Sequence, residues 1–178
     1  MSSRAAWRLE SLGFSPVYRY AAGKRDWFAF GLPMEGEFAS IPKAIDVVRR
    51  EVPTCHLKDR VGEVYKRCQE VGWQVCLVVN KANIVLGRLR REAWQADPEA
   101  PVEQVMENGP TTFRPDNFLE PLIKRMREKK VGTVIITDSD GVLIGILYRK
   151  DGEERLQRDQ PTGEFEGSHA SRNQNGDS

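Results

Sequence analysis

The chain has 178 residues, with 27 Lys+Arg against 26 Asp+Glu, two His and three Cys, and a mean hydropathy of −0.54. That length fits one ordinary domain or two small ones, and a net charge of +1 gives no general case for a polyanion or an acidic membrane surface. There is no apolar run of about 18 residues, no secretory leader and no C-x-x-C spacing, so a transmembrane helix, a zinc site and a disulfide framework are not expected.

Residues 1–37 open with Arg4-Ala-Ala-Trp-Arg-Leu-Glu-Ser-Leu-Gly-Phe14, then Pro16-Val-Tyr-Arg-Tyr20 and Gly23-Lys-Arg-Asp-Trp27. The pattern predicts a helix ended by Gly13, a strand over 17–20 and a short helix around Trp27. Residues 38–51, with Phe38, Ile41, Ala44, Ile45 and Val48 ahead of Arg49-Arg50, read as a linker helix.

An internal repeat follows. Residues 54–93 match residues 112–151 at a constant offset of 58, without a gap. Val61, Val64, Tyr65 and Cys68 fall on Leu119, Leu122, Ile123 and Met126, both sets at the i, i+3, i+4, i+7 spacing of a one-faced helix. Asp59 and Asn117 stand where N-caps belong, and Pro121 fits only near a helix start. Cys76-Leu-Val-Val79 falls on Val134-Ile-Ile-Thr137, and Ile84-Val-Leu-Gly87 on Val142-Leu-Ile-Gly145. Polar links Asn80–Asn83 and Asp138–Gly141 join these strands as hairpins. Each unit is β-α-β-β, and Pro101 opens a short helix with Val102, Val105 and Met106 inward. Two copies related by a pseudo-twofold would bury their sheets together and leave a cleft between them.

Residues 152–178 carry three apolar side chains, Leu156, Phe165 and Ala170, among Gly, Ser, Asn, Gln and charges. They read as a disordered tail of net charge −3, leaving +4 on residues 1–151.

Two copies of β-α-β-β ending in Gly-apolar-apolar-x-x-x-Asp resemble a pair of cystathionine-β-synthase (CBS) domains, a Bateman module. The stretches that carry the likeness are Val102-Glu-Gln-Val-Met106, Thr112-Phe-Arg-Pro-Asp116, Thr133-Val-Ile-Ile-Thr-Asp138 and Gly141-Val-Leu-Ile-Gly-Ile-Leu147. The resemblance implies an α/β fold with repeats at 52–108 and 109–151 packed by pseudo-twofold symmetry. It also implies a homodimer and a cleft for AMP, ADP, ATP or S-adenosylmethionine. Such sites end in Gly-apolar-apolar-Thr/Ser-x-x-Asp, with Asp on the ribose hydroxyls. The second copy reads Gly145-Ile-Leu-Tyr148-Arg-Lys-Asp151, the first Gly87-Arg-Leu-Arg90-Arg91-Glu92-Ala93. The resemblance therefore implies one site, lined by Thr111, Thr112, Val134, Ile135, Tyr148 and Asp151. Arg88, Arg90 and Arg91 are read as a solvated face.

Residues 1–37 resemble the C-terminal end of a rhodanese domain, with Arg4 at the exit of the nucleophile loop. The resemblance implies an α/β fragment without its catalytic cysteine. Cys55, Cys68 and Cys76 read as small core residues, and His56 and His169 complete no Ser–His–Asp set. No phosphate-loop motif appears, and the scattered Trp7, Trp27, Trp73 and Trp94 make no base-stacking platform, so nucleic acid is not expected. The sequence points to a cytoplasmic, non-catalytic regulatory module with no required cofactor and no metal. The rivals are a ligand-free interaction or dimerisation module, and a sulfurtransferase whose nucleophile loop is encoded ahead of Met1.

Overall fold

In a computed structural model of the chain, residues 2–158 are described, except Arg19, Ala21, Ala22 and Phe38. Two small sheets carry the repeat. The first has the order β1–β2–β3–β4, from Thr54–Cys55, Cys76–Val79, Val85–Leu89 and Glu107–Asn108. The second has the order β5–β6–β7, from Thr112–Phe113, Thr133–Thr137 and Leu143–Tyr148. In each, the first two strands run parallel and the next pair antiparallel. The parallel link needs a crossover, supplied by helix α3 (Val61–Glu70) and helix α5 (Leu119–Glu128). The faces expected to be apolar are the buried ones: Val61, Val64 and Cys68 on α3, and Leu119, Leu122, Ile123 and Met126 on α5. Pro121 is the third residue of α5, where its missing N–H costs no intrahelical bond.

The hairpin links use one device twice. Asn80 Oδ1 accepts from the amides of Ala82 and Ile84, and Asp138 Oδ1 accepts from Asp140 and Val142, all at 2.9 Å. Asn83 (φ 58°) and Gly141 (φ 83°) supply the left-handed turn residue. The two hairpins then meet tip to tip. The amide of Val85 donates to Gly141 O at 3.1 Å and that of Leu143 to Asn83 O at 2.9 Å, so Ile84 and Val142 face each other as an antiparallel bridge. Each of these positions maps on its partner at the offset of 58, which places the pseudo-twofold between Ile84 and Val142. Leu77 and its counterpart Ile135, with Ile146, are buried at this junction.

Residues 38–51 are not a helix. Ala44–Asp46 forms one 3-10 turn, and Arg49 pairs antiparallel with Ile146; Phe38 lies outside the described residues. The offset of 58 extends back through this segment: Lys43–Arg50 falls on Pro101–Asn108, which holds α4 (Val102–Val105) and β4. Each segment precedes one copy in sequence and closes the sheet of the other. Arg49 closes the β7 edge of the second sheet, while Glu107 pairs with Arg88 on β3 of the first. Gly87 and Gly145 are the positions where the closing backbones approach. A Cβ on Gly145 would collide with Arg49 O, and one on Gly87 would sit 2.9 Å from Glu107 O.

This exchange explains why Asp59 and Asn117 are not N-caps. The helix-start amides of Val61, Gly62 and Leu119 donate to Ala100 O, Pro98 O and Pro42 O, at or next to the starts of the closing segments. With those donors satisfied, Asp59 Oδ2 and Asn117 Oδ1 turn back to accept from His56 and Arg114, both at 3.1 Å.

The front segment holds α1 (Ser2–Ser11) and α2 (Gly23–Ala29), as expected. Of the strand expected over 17–20, Val17, Tyr18 and Tyr20 form none, and Arg19 lies outside the described residues. Trp27 donates to Pro33 O at 2.8 Å, and Gly31 backs onto Ile45. The chain beyond 151 also differs from expectation. Helix α6 spans Arg149–Arg158, so residues 152–158 are ordered rather than part of a tail. Gly152 is buried against Ile123 and Leu119, and Leu156 packs on the second core. One apolar contact per turn is enough when a preformed groove receives it. The tail expected at 159–178 lies outside the described residues.

Candidate functional site

The junction between copies ends, on one side, in a cluster of chemistry-bearing side chains. Arg49, carried by the closing segment, forks onto Asp151 in the first turn of α6: Nε to Oδ2 at 2.7 Å and Nη2 to Oδ1 at 2.9 Å. Its guanidinium carbon lies 4.6 Å from the centre of the Tyr148 ring. Tyr148 in turn contacts Trp73, with ring centres 6.0 Å apart. Trp73 sits just after Gly72 at the end of the α3 turn, and Val52 packs on the same shared core. The cluster thus brings Trp73 of the first copy against Tyr148 and Asp151 of the second, with Arg49 held on the β7 edge of the second sheet and Val52 on the shared core.

Its electrostatics follow from the geometry. The hydrogen bonds to Asp151 hold the Arg49 guanidinium above its ordinary range, against partial desolvation. Burial pushes the Tyr148 hydroxyl up, and the nearby Arg49 charge opposes that shift. Each oxygen of Asp151 accepts one bond from Arg49, so a further donor would share this carboxylate with the guanidinium or displace it.

The first copy shows the same position with reversed polarity. Glu107, the counterpart of Arg49, accepts from Arg88 at 2.7 and 2.8 Å and lies 3.1 Å from Arg90. The Arg88 hydrogen bonds hold the Glu107 carboxyl below its usual range. Arg88 and Arg90 are therefore paired with a carboxylate, while Arg90 and Arg91 stay exposed to solvent. Ala93, the counterpart of Asp151, is buried in the first core. An arginine closes the sheet that has the aspartate, and a glutamate closes the sheet that has the arginines.

The residues expected to line one site divide into three groups. Tyr148 and Asp151 are brought together, joined by Arg49, and Ile135 reaches the shared core with Leu77 and Ile146. Val134 does not: adjacent strand residues point to opposite faces, and its side chain packs with Leu119, Leu122 and Ile123. Thr111 and Thr112 are exposed at the start of β5. Thr112 pairs with Ile135 on β6, and Tyr148 pairs with Thr133 on the other flank of β6, so two strand spacings and a two-residue offset put their backbones about 12 Å apart. The residues missed were Arg49, Val52 and Trp73. For Arg49 and Val52 the signal was the offset itself, which carries the repeat back past residue 54 and sets Arg49 against Glu107; Trp73, which falls on Val131, had none.

A groove of about 560 Å³ adjoins the cluster between the start of β1 and the C-terminal half of α3, lined by the same Val52 and Trp73 together with Arg50, Arg67, Cys68 and Cys76 among others. Among the described residues no three or more His, Cys, Asp or Glu are grouped to hold a metal ion, and no helix is long and apolar enough to cross a membrane.

Comparison with known proteins agrees with this architecture. Residues 102–152 match the CBS domain family. The crystal structure of the cytosolic domain of the Mg2+ channel MgtE in complex with ATP superposes with a TM-score of 0.59 at 21% identity, over 67% of this chain and 51% of that one. This chain thus spans about half the length of that relative. The CBS domains of a transcriptional regulator from Streptococcus pneumoniae give 0.59 at 18% identity, over 65% of this chain and 99% of theirs. The CBS domain pair of protein MJ0100, in complex with 5′-methylthioadenosine and S-adenosyl-L-methionine, gives 0.57 at 16%, over 66% and 98%. No curated protein matches the sequence. About two thirds of the chain superposes on these structures, and that part has the fold of a CBS-domain pair.

Proposed function

We propose that the chain is a non-catalytic regulatory CBS pair whose inter-repeat cleft takes an adenosine compound beside Asp151. The observation that carries this reading is the convergence of Asp151, Tyr148 and the Arg49 that closes their sheet with Trp73 from the first copy and Val52 on the shared core. The chemistry suits a nucleotide. A planar guanidinium binds phosphate as readily as carboxylate. A phosphate that draws Arg49 off Asp151 frees both carboxylate oxygens for ribose hydroxyls, while Trp73 and Val52 offer an apolar wall. Solved structures of this fold, the MgtE cytosolic domain in complex with ATP and the MJ0100 CBS domain pair with 5′-methylthioadenosine and S-adenosyl-L-methionine, support the ligand class. Binding would then favour one arrangement of the copies and reach a partner by differential affinity.

Thermal melting with AMP, ADP, ATP and S-adenosylmethionine tests this. A ligand at about 100 times its Kd adds about 2.7 kcal/mol, a rise of several degrees. Asp151→Ala should abolish that rise, and Arg49→Gln should weaken nucleotides most. No shift with any of the four, or a full shift in Asp151→Ala, overturns the site.

A second reading is favoured by the bidentate hold of Arg49 on Asp151. In it the pair is a permanent clasp, and the module serves protein interaction or homodimerisation without a ligand. Light scattering at micromolar concentration reads the dimer, and a monomer overturns it.

A further inference from the structure

Three thiols meet in the core of the first copy. Cys55 on β1, Cys68 on α3 and Cys76 on β2 are each at most 2% exposed and share one apolar cluster. The Cys76 thiol hydrogen-bonds with both of the others. Packing alone does not demand them, since the second copy fills the same places with Phe113, Met126 and Val134. Cys68 and Cys76, unlike Cys55, also line the 560 Å³ groove, beside Arg50 and Arg67. Buried sulfur is normally inert because no oxidant reaches it; Cys68 and Cys76 are each 1% exposed yet line a solvent groove, so only a local opening separates them from an oxidant.

The two thiols are not alike. The hydrogen bond from Cys76 lowers Cys68, with the Arg67 charge adding to it against burial. Hydrogen bonds with Cys55 and Cys68, and then burial, hold Cys76 far above the ordinary thiol range. Cys68 is the one disposed to ionise and Cys76 the one that keeps its proton.

We propose that Cys68 and Cys76 form a peroxide-sensing dithiol. The Cys68 thiolate attacks a hydroperoxide; an S–O bond forms, the O–O bond breaks, and the leaving oxygen departs as water or alcohol after taking up a proton. The Cys76 sulfur then attacks the sulfenic sulfur. An S–S bond forms, the S–O bond breaks, and the hydroxide leaves as water with the Cys76 proton. The two thiols lose two electrons and the peroxide gains them.

The bridge would close the loop over residues 69–75, and that loop carries Trp73. The Trp73 amide donates to Cys68 O at 2.9 Å, and its ring contacts Tyr148 under Arg49. Oxidation therefore acts on the wall of the proposed nucleotide cleft. The dithiol itself does not depend on that cleft reading, so its test is made without ligand.

The reduced full-length chain is treated with hydrogen peroxide, then denatured, alkylated and mapped by mass spectrometry. The expected result is the loss of two of three alkylatable thiols, a mass lower by about 2 Da, and a Cys68–Cys76 cross-linked peptide within one chain. Cys55→Ser keeps the bridge. Cys68→Met and Cys76→Val, which install the second copy's own residues, abolish it while keeping the packing. Near-ultraviolet circular dichroism should change on oxidation in the native chain and lose that change in Trp73→Phe. Three thiols remaining alkylatable, a bridge through Cys55, or only intermolecular disulfides overturns the proposal. If the bridge forms but no adenosine compound shifts the melting point, the nucleotide reading alone has failed.

Discussion

The exchange of closing segments can be broken with one methyl group. Gly145 lies under the backbone of Arg49, and an alanine Cβ there would overlap Arg49 O and come to 2.9 Å from both Arg49 C and Val48 Cγ2. The nearest atoms are backbone and cannot swing aside, so the segment must lift from β7. Lifting it puts at risk the bonds Arg49 N–H to Ile146 O at 2.8 Å and Ile146 N–H to Arg49 O at 3.0 Å. Each is worth about 0.5–1.5 kcal/mol net, and overpacking adds about 1–3 kcal/mol. Gly145→Ala should therefore lose about 3 kcal/mol, a fall in Tm of about 6–12 °C for a folded body of this size. Hydrogen exchange should show the Ile146 amide deprotected well before the rest of β7. The first copy supplies a graded comparison. At Gly87 the nearest neighbour is the flexible Met106 Sδ at 2.6 Å, so Gly87→Ala should cost less, about 1–2 kcal/mol. Gly132 has nothing within 4 Å, and Gly132→Ala should stay within about 0.5 kcal/mol. A Gly145→Ala protein that melts like the native one, or that keeps full Ile146 protection, refutes the closure.

Glu107 makes stability depend on acid. Arg88 holds its folded carboxyl below the unfolded value of 4.5, so its contribution is present above that pH and is lost as pH falls through the lowered folded value. Urea titrations from pH 6 to pH 2 should show Glu107→Gln with a flatter acid limb than the native chain, by a small margin because solvent screens the pair. Glu107→Arg should cost more than Glu107→Gln, since it sets a cation against Arg88 and Arg90. Asp138 accepts two turn amides at 2.9 Å and is almost fully buried. Asp138→Ala should cost about 1–3 kcal/mol by chemical denaturation, while Asp138→Asn should be nearly silent because Asn80 does the same task in the first copy.

Much of this protein is written locally. The offset of 58, the helix faces on Val61, Val64 and Cys68 and on Leu119, Leu122 and Met126, and the Asn80 and Asp138 turns all follow from spacing and side-chain chemistry. They are legible because each rests on residues within a turn or a strand of one another. What a segment pairs with at long range is another matter. The sequence repeats Lys43–Arg50 as Pro101–Asn108, but the register is equally compatible with either sheet. The tertiary structure crosses them over, and that crossing takes the helix-start amides from Asp59 and Asn117. It delivers Arg49 to Asp151. Composition likewise placed residues 152–158 in a tail, whereas the groove over Ile123 gives Gly152 and Leu156 somewhere to pack. Local periodicity determines which elements form. Only the closing of edges and grooves between distant elements decides which side chains share a site, because burial is a property of the assembled fold and not of the segment that enters it.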